Sequence, residues 1–85
     1  MIMVAPQLSW PPVDGEVAIY DSRDGRYHVL NNSAAQIWHR IAAGLGAAEI
    51  ASELAAEHRA TVESVRQDVD LFIAEGLELG LLINA

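Results

Sequence analysis

Three histidines, twelve carboxylates and no cysteine are what this chain of 85 residues offers for chemistry. Nucleophilic catalysis needs a hydroxyl or thiol with a base beside it, and a metal site needs several ligands converging on one point. His28, His39 and His58 fall on different predicted elements, and none has a second histidine one helical turn away. Asp68 and Asp70 stand two apart within a predicted helix, so their side chains diverge and form no carboxylate dyad. Glu49, Glu53 and Glu57 do share a helix face, but like charges four residues apart repel and are tolerated best in solvent. The glycines are scattered turn residues rather than a phosphate-binding loop. The expectation is a protein without catalysis, metal or cofactor.

Charge narrows the partners. The formal charge of −7 arises from twelve carboxylates against five arginines, with no lysine. Such a surface lacks the cations that displace counterions from a phosphate backbone, so nucleic acid is not the expected ligand. A partner of basic or neutral polar character is favoured instead. The absence of cysteine leaves no disulfide and fits the cytoplasm. No apolar run approaches the ~20 residues of a membrane span, and Met1 to Pro6 lacks the basic start of a secretion signal. The chain is expected to form a single domain over residues 1–85 that neither enters a membrane nor is processed.

These residues must be positioned by a few short elements. Asp24-Gly25 is the dipeptide of two-residue hairpin loops, and Asp14-Gly15 is a second turn signal. Between and after them, Glu16 to Asp21 and Arg26 to Asn31 alternate as strands. Gln7 to Trp10, held between Pro6 and Pro11-Pro12, is a short outer strand or a flap. In the strand from Arg26, either Tyr27 and Val29 or His28 and Leu30 must face outward, and alternation alone leaves that open. Ser33-x-x-Gln36 has the form of a capping box for a helix to about Ala43, with Ala34, Ile37, Trp38 and Ile41 as its apolar stripe and Gly44 as its stop. A second helix spans about Ala47 to His58 with Ile50, Ala51 and Leu54 inward. Thr61 caps a third, in which Val62, Val65, Val69, Phe72, Ile73 and Leu77 share one sector. Leu71 falls on the opposite side. Gly80 ends that helix, and Leu81-Leu82-Ile83 forms a terminal strand or tucks under the core. The fold class is α+β: a winged helix-turn-helix with a small N-terminal antiparallel sheet of about three strands followed by three helices.

The strand from Arg26 runs directly into a helix and reads as an unpaired sheet edge. An edge offers vacant backbone N–H and C=O groups to an extended peptide. Tyr27, Val29 and Phe72 would supply apolar pockets for alternate peptide side chains, and Asp68 would meet a basic or hydroxyl-bearing one.

Several spaced motifs add to this reading. Gly25-x-x-x-x-Leu30-Asn31-x-Ser33-Ala34-Ala35-x-Ile37-Trp38, then Glu49-Ile50-x-x-x-Leu54, Asp68-Val69-x-x-Phe72-Ile73 and Gly80-Leu81-Leu82 resemble the PqqD-like family over about Gly15 to Leu82. A strand ending in Leu-Asn before an Ala-x-Ile-Trp helix is most similar to the standalone leader-peptide recognition proteins of lasso peptide clusters. That resemblance implies a groove between the third strand and the third helix, occupied by the leader of a precursor peptide as an added strand. Its walls would be Arg26, Tyr27, His28, Val29 and Leu30 on one side and Val65, Asp68, Val69 and Phe72 on the other. The implied partners are the precursor, a cysteine-type leader peptidase and the ATP-dependent macrocyclase. Gly76 departs from the family pattern, which has an aliphatic residue there, and Leu77 or Leu79 is expected to fill the space.

Two other functions fit the same fold. One is the PqqD-type chaperone of a quinone cofactor precursor, working with a radical enzyme. The other is a DNA-binding regulator with Val62 to Phe72 as recognition helix, disfavoured because Arg66 is its only cation.

Overall fold

A computed structural model describes residues 1–11 and 16–85; the expected Asp14-Gly15 turn and Pro12 lie outside the described residues. The chain runs through β1 (Ile2–Val4), β2 (Leu8–Ser9), β3 (Val17–Asp21), β4 (Arg26–Leu30), α1 (Asn32–Ala42), α2 (Ala47–His58), α3 (Val62–Leu79) and β5 (Leu82–Asn84). It is an α+β fold: a three-stranded antiparallel sheet ordered β2-β3-β4 leads into three helices. A second sheet, β1 with β5, was not expected; it joins the two ends of the chain in the register Ile2 to Asn84, Met3 to Ile83 and Val4 to Leu82.

The β3–β4 hairpin differs from the two-residue turn that Asp24-Gly25 suggested. Asp21 pairs with Arg26, so four residues, 22–25, form the loop. The Gly25 N–H donates to the Asp21 carbonyl at 2.9 Å, and Gly25 takes the left-handed conformation at φ 72°. Two aspartates hold the longer loop. Asp21 Oδ1 accepts from the Arg23 N–H at 2.9 Å and Asp24 Oδ1 from the Arg26 N–H at 3.1 Å, each two residues on.

The helix starts also separate what is local from what is not. Asn31, not Ser33, caps α1: it is extended, and its Oδ1 accepts from the Ala34 N–H at 2.9 Å. Ser33 therefore lies inside the helix, and the capping box does not form. Thr61 caps α3 as expected, accepting from the Ser64 N–H at 3.2 Å, and Gly80 closes it in the left-handed region at φ 75°.

The core gathers Ile19, Trp38, Ile50, Val69 and Leu82, all essentially inaccessible to solvent. Trp10 meets Trp38 edge to face, with ring centroids 5.3 Å apart. The apolar sector of α3 is narrower than its periodicity implied. Val69 is buried and Val65, Phe72 and Ile73 half-buried, whereas Val62 and Leu77 are exposed, as Leu71 is. The space at Gly76 is filled by neither Leu77 nor Leu79, both exposed, but by Leu82: a Cβ at Gly76 would come within 2.6 Å of the Leu82 side chain. The missing side chain of α3 is the seat of β5.

On α2, Ile50, Ala51 and Leu54 face inward. Glu53 and Glu57 stand in solvent but are bridged by Arg40 of α1, whose Nε lies 3.1 Å from Glu53 Oε1 and whose other nitrogen pairs with Glu57. Surface pairs of this kind add little stability.

Candidate functional site

β4 pairs with β3 on one side only. Among the described residues no strand pairs with its other edge. In an antiparallel strand alternate residues turn their N–H and C=O groups away from the partner, so this edge presents vacant donors and acceptors in a row. Side-chain burial decides the face. Tyr27 and Val29 point outward, 68% and 63% exposed, while His28 and Leu30 are half-buried toward the helices and Arg26 is exposed. The outer face is stiffened by a cross-strand pair, Tyr20 and Tyr27, with ring centroids 5.1 Å apart.

Tyr27 and Val29 thus stand on the open outer face, and they are not among the residues that line the cleft at the helices. The concave surface lies beyond the end of β4, where α1, α2 and α3 meet in a cleft of about 250 Å³. Ser33, Gln36 and Ile37 line it from α1, Leu54 and His58 from α2, Ala60 from the connection, and Ser64, Val65 and Asp68 from α3. Ile37, Leu54 and Val65 give it apolar walls. Hydroxyls, an amide, an imidazole and one carboxylate form its polar parts. Gln36 Oε1 and His58 Nε2, 3.1 Å apart, join α1 to α2 here.

Of the expected helix-side residues, Val65 and Asp68 line this cleft. Asp68 makes no ion pair among the described residues. Val69 belongs to the core and supports α3 from behind, so it presents nothing to a ligand, and Phe72 is half-buried against the core. Ser33, Gln36, Ile37, His58 and Ser64 were not anticipated. The sequence pattern places Gln36 in a cap and Ile37 in the core, and helical spacing carries no sign of a wall shared by three helices.

At the opposite end of β4, Asp21 is the charged residue of the core, 1% exposed. Its carboxylate is held down to about 2 from an ordinary 3.8, chiefly by hydrogen bonds from the Arg23 side chain and backbone N–H, which outweigh the burial that opposes ionisation. A second hollow of about 430 Å³ lies beside Met1, Ile2, Ile41 and Gly44, away from β4. Among the described residues no three histidine or acidic side chains cluster to hold a metal ion. Among the described residues no helix is long and apolar enough to cross a membrane. On α3, Arg66 is already paired with Asp70 at 2.9 Å, which leaves that helix no unpaired cation for a phosphate backbone.

No curated protein matches the chain. Among solved structures, its fold is similar to that of TbiB1 in complex with the TbiA(beta) leader peptide, with a TM-score of 0.91 at 22% identity over 98% of this chain and 96% of the other. It is also similar to lasso peptide synthetase B1 complexed with the leader peptide, with a TM-score of 0.90 at 25% identity over 98% of both chains. The family model described as coenzyme PQQ synthesis protein D matches residues 16–82, from β3 into β5. With most of its length accounted for by that match, the chain belongs to the PqqD family.

Proposed function

We propose that this protein is a non-enzymatic recognition module that captures the leader segment of a ribosomal precursor peptide as an added strand. The leader pairs with the vacant edge of β4, alongside α3, and the protein delivers it to processing enzymes. In a lasso-type pathway these are a cysteine-type leader peptidase and then the macrocyclase. The observation that carries the reading is the unpaired edge of β4 leading to a cleft walled by α3. Two solved structures of the same fold, at 22% and 25% identity, are complexes with leader peptides.

Energetics assign the two parts different tasks. A leader strand adding about four main-chain hydrogen bonds gains roughly 0.5–1.5 kcal/mol net for each. That sum falls short of the ~8 kcal/mol of micromolar affinity, before the cost of ordering a flexible peptide is counted. The remainder must come from side chains: inward-facing leader residues against Val65 and Phe72, outward-facing ones beside Tyr27 and Val29, and a basic or hydroxyl-bearing residue at Asp68. The pairing sets register, and the cleft sets selectivity.

The test is a titration of the purified protein into a fluorescein-labelled synthetic leader from the precursor encoded with it. Saturable anisotropy, with the peptide intact afterwards by mass spectrometry, is expected. A flat titration would remove the proposal. The family description itself favours a second reading, a chaperone of the quinone cofactor precursor. Saturable binding of that precursor but not of a lasso leader would select it.

A further inference from the structure

A charge buried in a domain this small requires compensation, because a carboxylate loses its hydration there. Arg23 supplies it to Asp21 with Nη2 2.8 Å from Oδ2 and Nε 3.2 Å from Oδ1. The same Nη2 lies 3.4 Å from the carbonyl oxygens of both Leu79 and Gly80, at the C-terminal end of α3. Unpaired carbonyls and the negative end of the helix dipole make that a favourable place for a cation. The guanidinium lies directly over Gly80, with Nη2 within 2.5 Å of where a Cβ would stand. Gln7 adds a further tie, donating from Nε2 to the Gly80 carbonyl at 3.2 Å while its own carbonyl accepts from Ser22 Oγ at 3.0 Å.

The loop from which β4 starts is therefore fastened to the end of α3. At the other end of β4, Asn31 caps α1, which walls the cleft together with the N-terminal half of α3. Between the two ties α3 packs chiefly on α2 and β5 rather than on β4.

We infer that Arg23, held by Asp21, is a positioning residue that sets the spacing of β4 and α3, and with it the width of the slot a peptide strand enters. It rests on the function proposed above and adds a part that touches no peptide. A slot already spaced in the free protein reduces what must be ordered on binding.

The test uses the full chain, whose lack of cysteine allows clean spin labelling at Arg26→Cys, an exposed side chain at the start of β4, and at Glu75→Cys on α3. Electron–electron resonance is expected to give one narrow distance distribution with Arg23, a broad one with Arg23→Met, and a partly restored one with Arg23→Lys. The labelled leader should bind about tenfold more weakly to Arg23→Met, with Arg23→Lys recovering part of the loss. Circular dichroism identifies any variant that fails to fold, in which case Arg23→Lys carries the comparison. An unchanged distribution overturns the inference. A broadened distribution with unchanged leader affinity also overturns it, and leaves the peptide-binding reading standing. If the parent binds no leader, that reading fails instead, and the distance measurement alone decides whether Arg23 sets the spacing.

Discussion

Val29→Asp separates a peptide-binding edge from an incidental exposed strand. Val29 is 63% exposed on the outer face of β4, so the folded protein hardly depends on it and the substitution should change stability by no more than about 0.5 kcal/mol. A strand added to β4 would place a neighbour beside it. Complete burial of a valine side chain contributes roughly 1.5–3 kcal/mol, and an added strand on one side covers about a third of that surface, giving ~0.5–1 kcal/mol. Loss of the favourable cross-strand pair adds ~0.2–1 kcal/mol. Together these weaken leader binding by about 1–2 kcal/mol, a factor of roughly 5 to 30 in Kd. The assay is leader anisotropy at a temperature where circular dichroism shows parent and variant equally folded. Leu71→Asp is the matched control: Leu71 is 61% exposed but lies on α3 away from the cleft lining, and its replacement should leave Kd within about twofold. If both variants bound like the parent, or both lost binding alike, the reasoning from the β4 edge would be refuted.

Three further outcomes test the fold beneath the site. Gly76→Val should destabilise by about 1–3 kcal/mol in chemical denaturation, because the new side chain would enter space occupied by Leu82; an unchanged midpoint would show that β5 can shift. Asn31→Ala should cost ~1 kcal/mol, whereas Ser33→Ala should cost far less, since the cap hydrogen bond to Ala34 belongs to Asn31; equal losses would restore the capping-box reading. Because the folded Asp21 carboxyl is held at about 2, below its ordinary 3.8, its stabilising contribution is complete above the ordinary value and is lost as pH falls toward 2. Thermal melts of the parent and Asp21→Asn should therefore differ by a constant amount above about pH 4 and converge as pH approaches 2; a constant difference down to pH 2 would contradict the Arg23 pairing.

What was legible in the sequence was what neighbouring residues decide among themselves. The α2 boundaries, the Thr61 cap and the Gly80 stop follow from helix-end chemistry acting over a few residues. So does the alternation of β3 and β4. Even locally, two nearby acceptors can compete for one N–H, and Asn31 took the cap that Ser33 was expected to hold.

The tertiary structure decided which face is covered and by what. Alternation makes Tyr27 with Val29 and His28 with Leu30 equivalent choices until the helices pack on one side, and they covered His28 and Leu30. The β1–β5 pair, the seating of Leu82 on Gly76, the three-helix cleft and the tie from Arg23 to Gly80 all join residues far apart in the chain. Periodicity records how a residue relates to its near neighbours along the backbone. Which distant surface meets it is settled only when the whole chain competes to bury its apolar area, and that competition left one edge of β4 free.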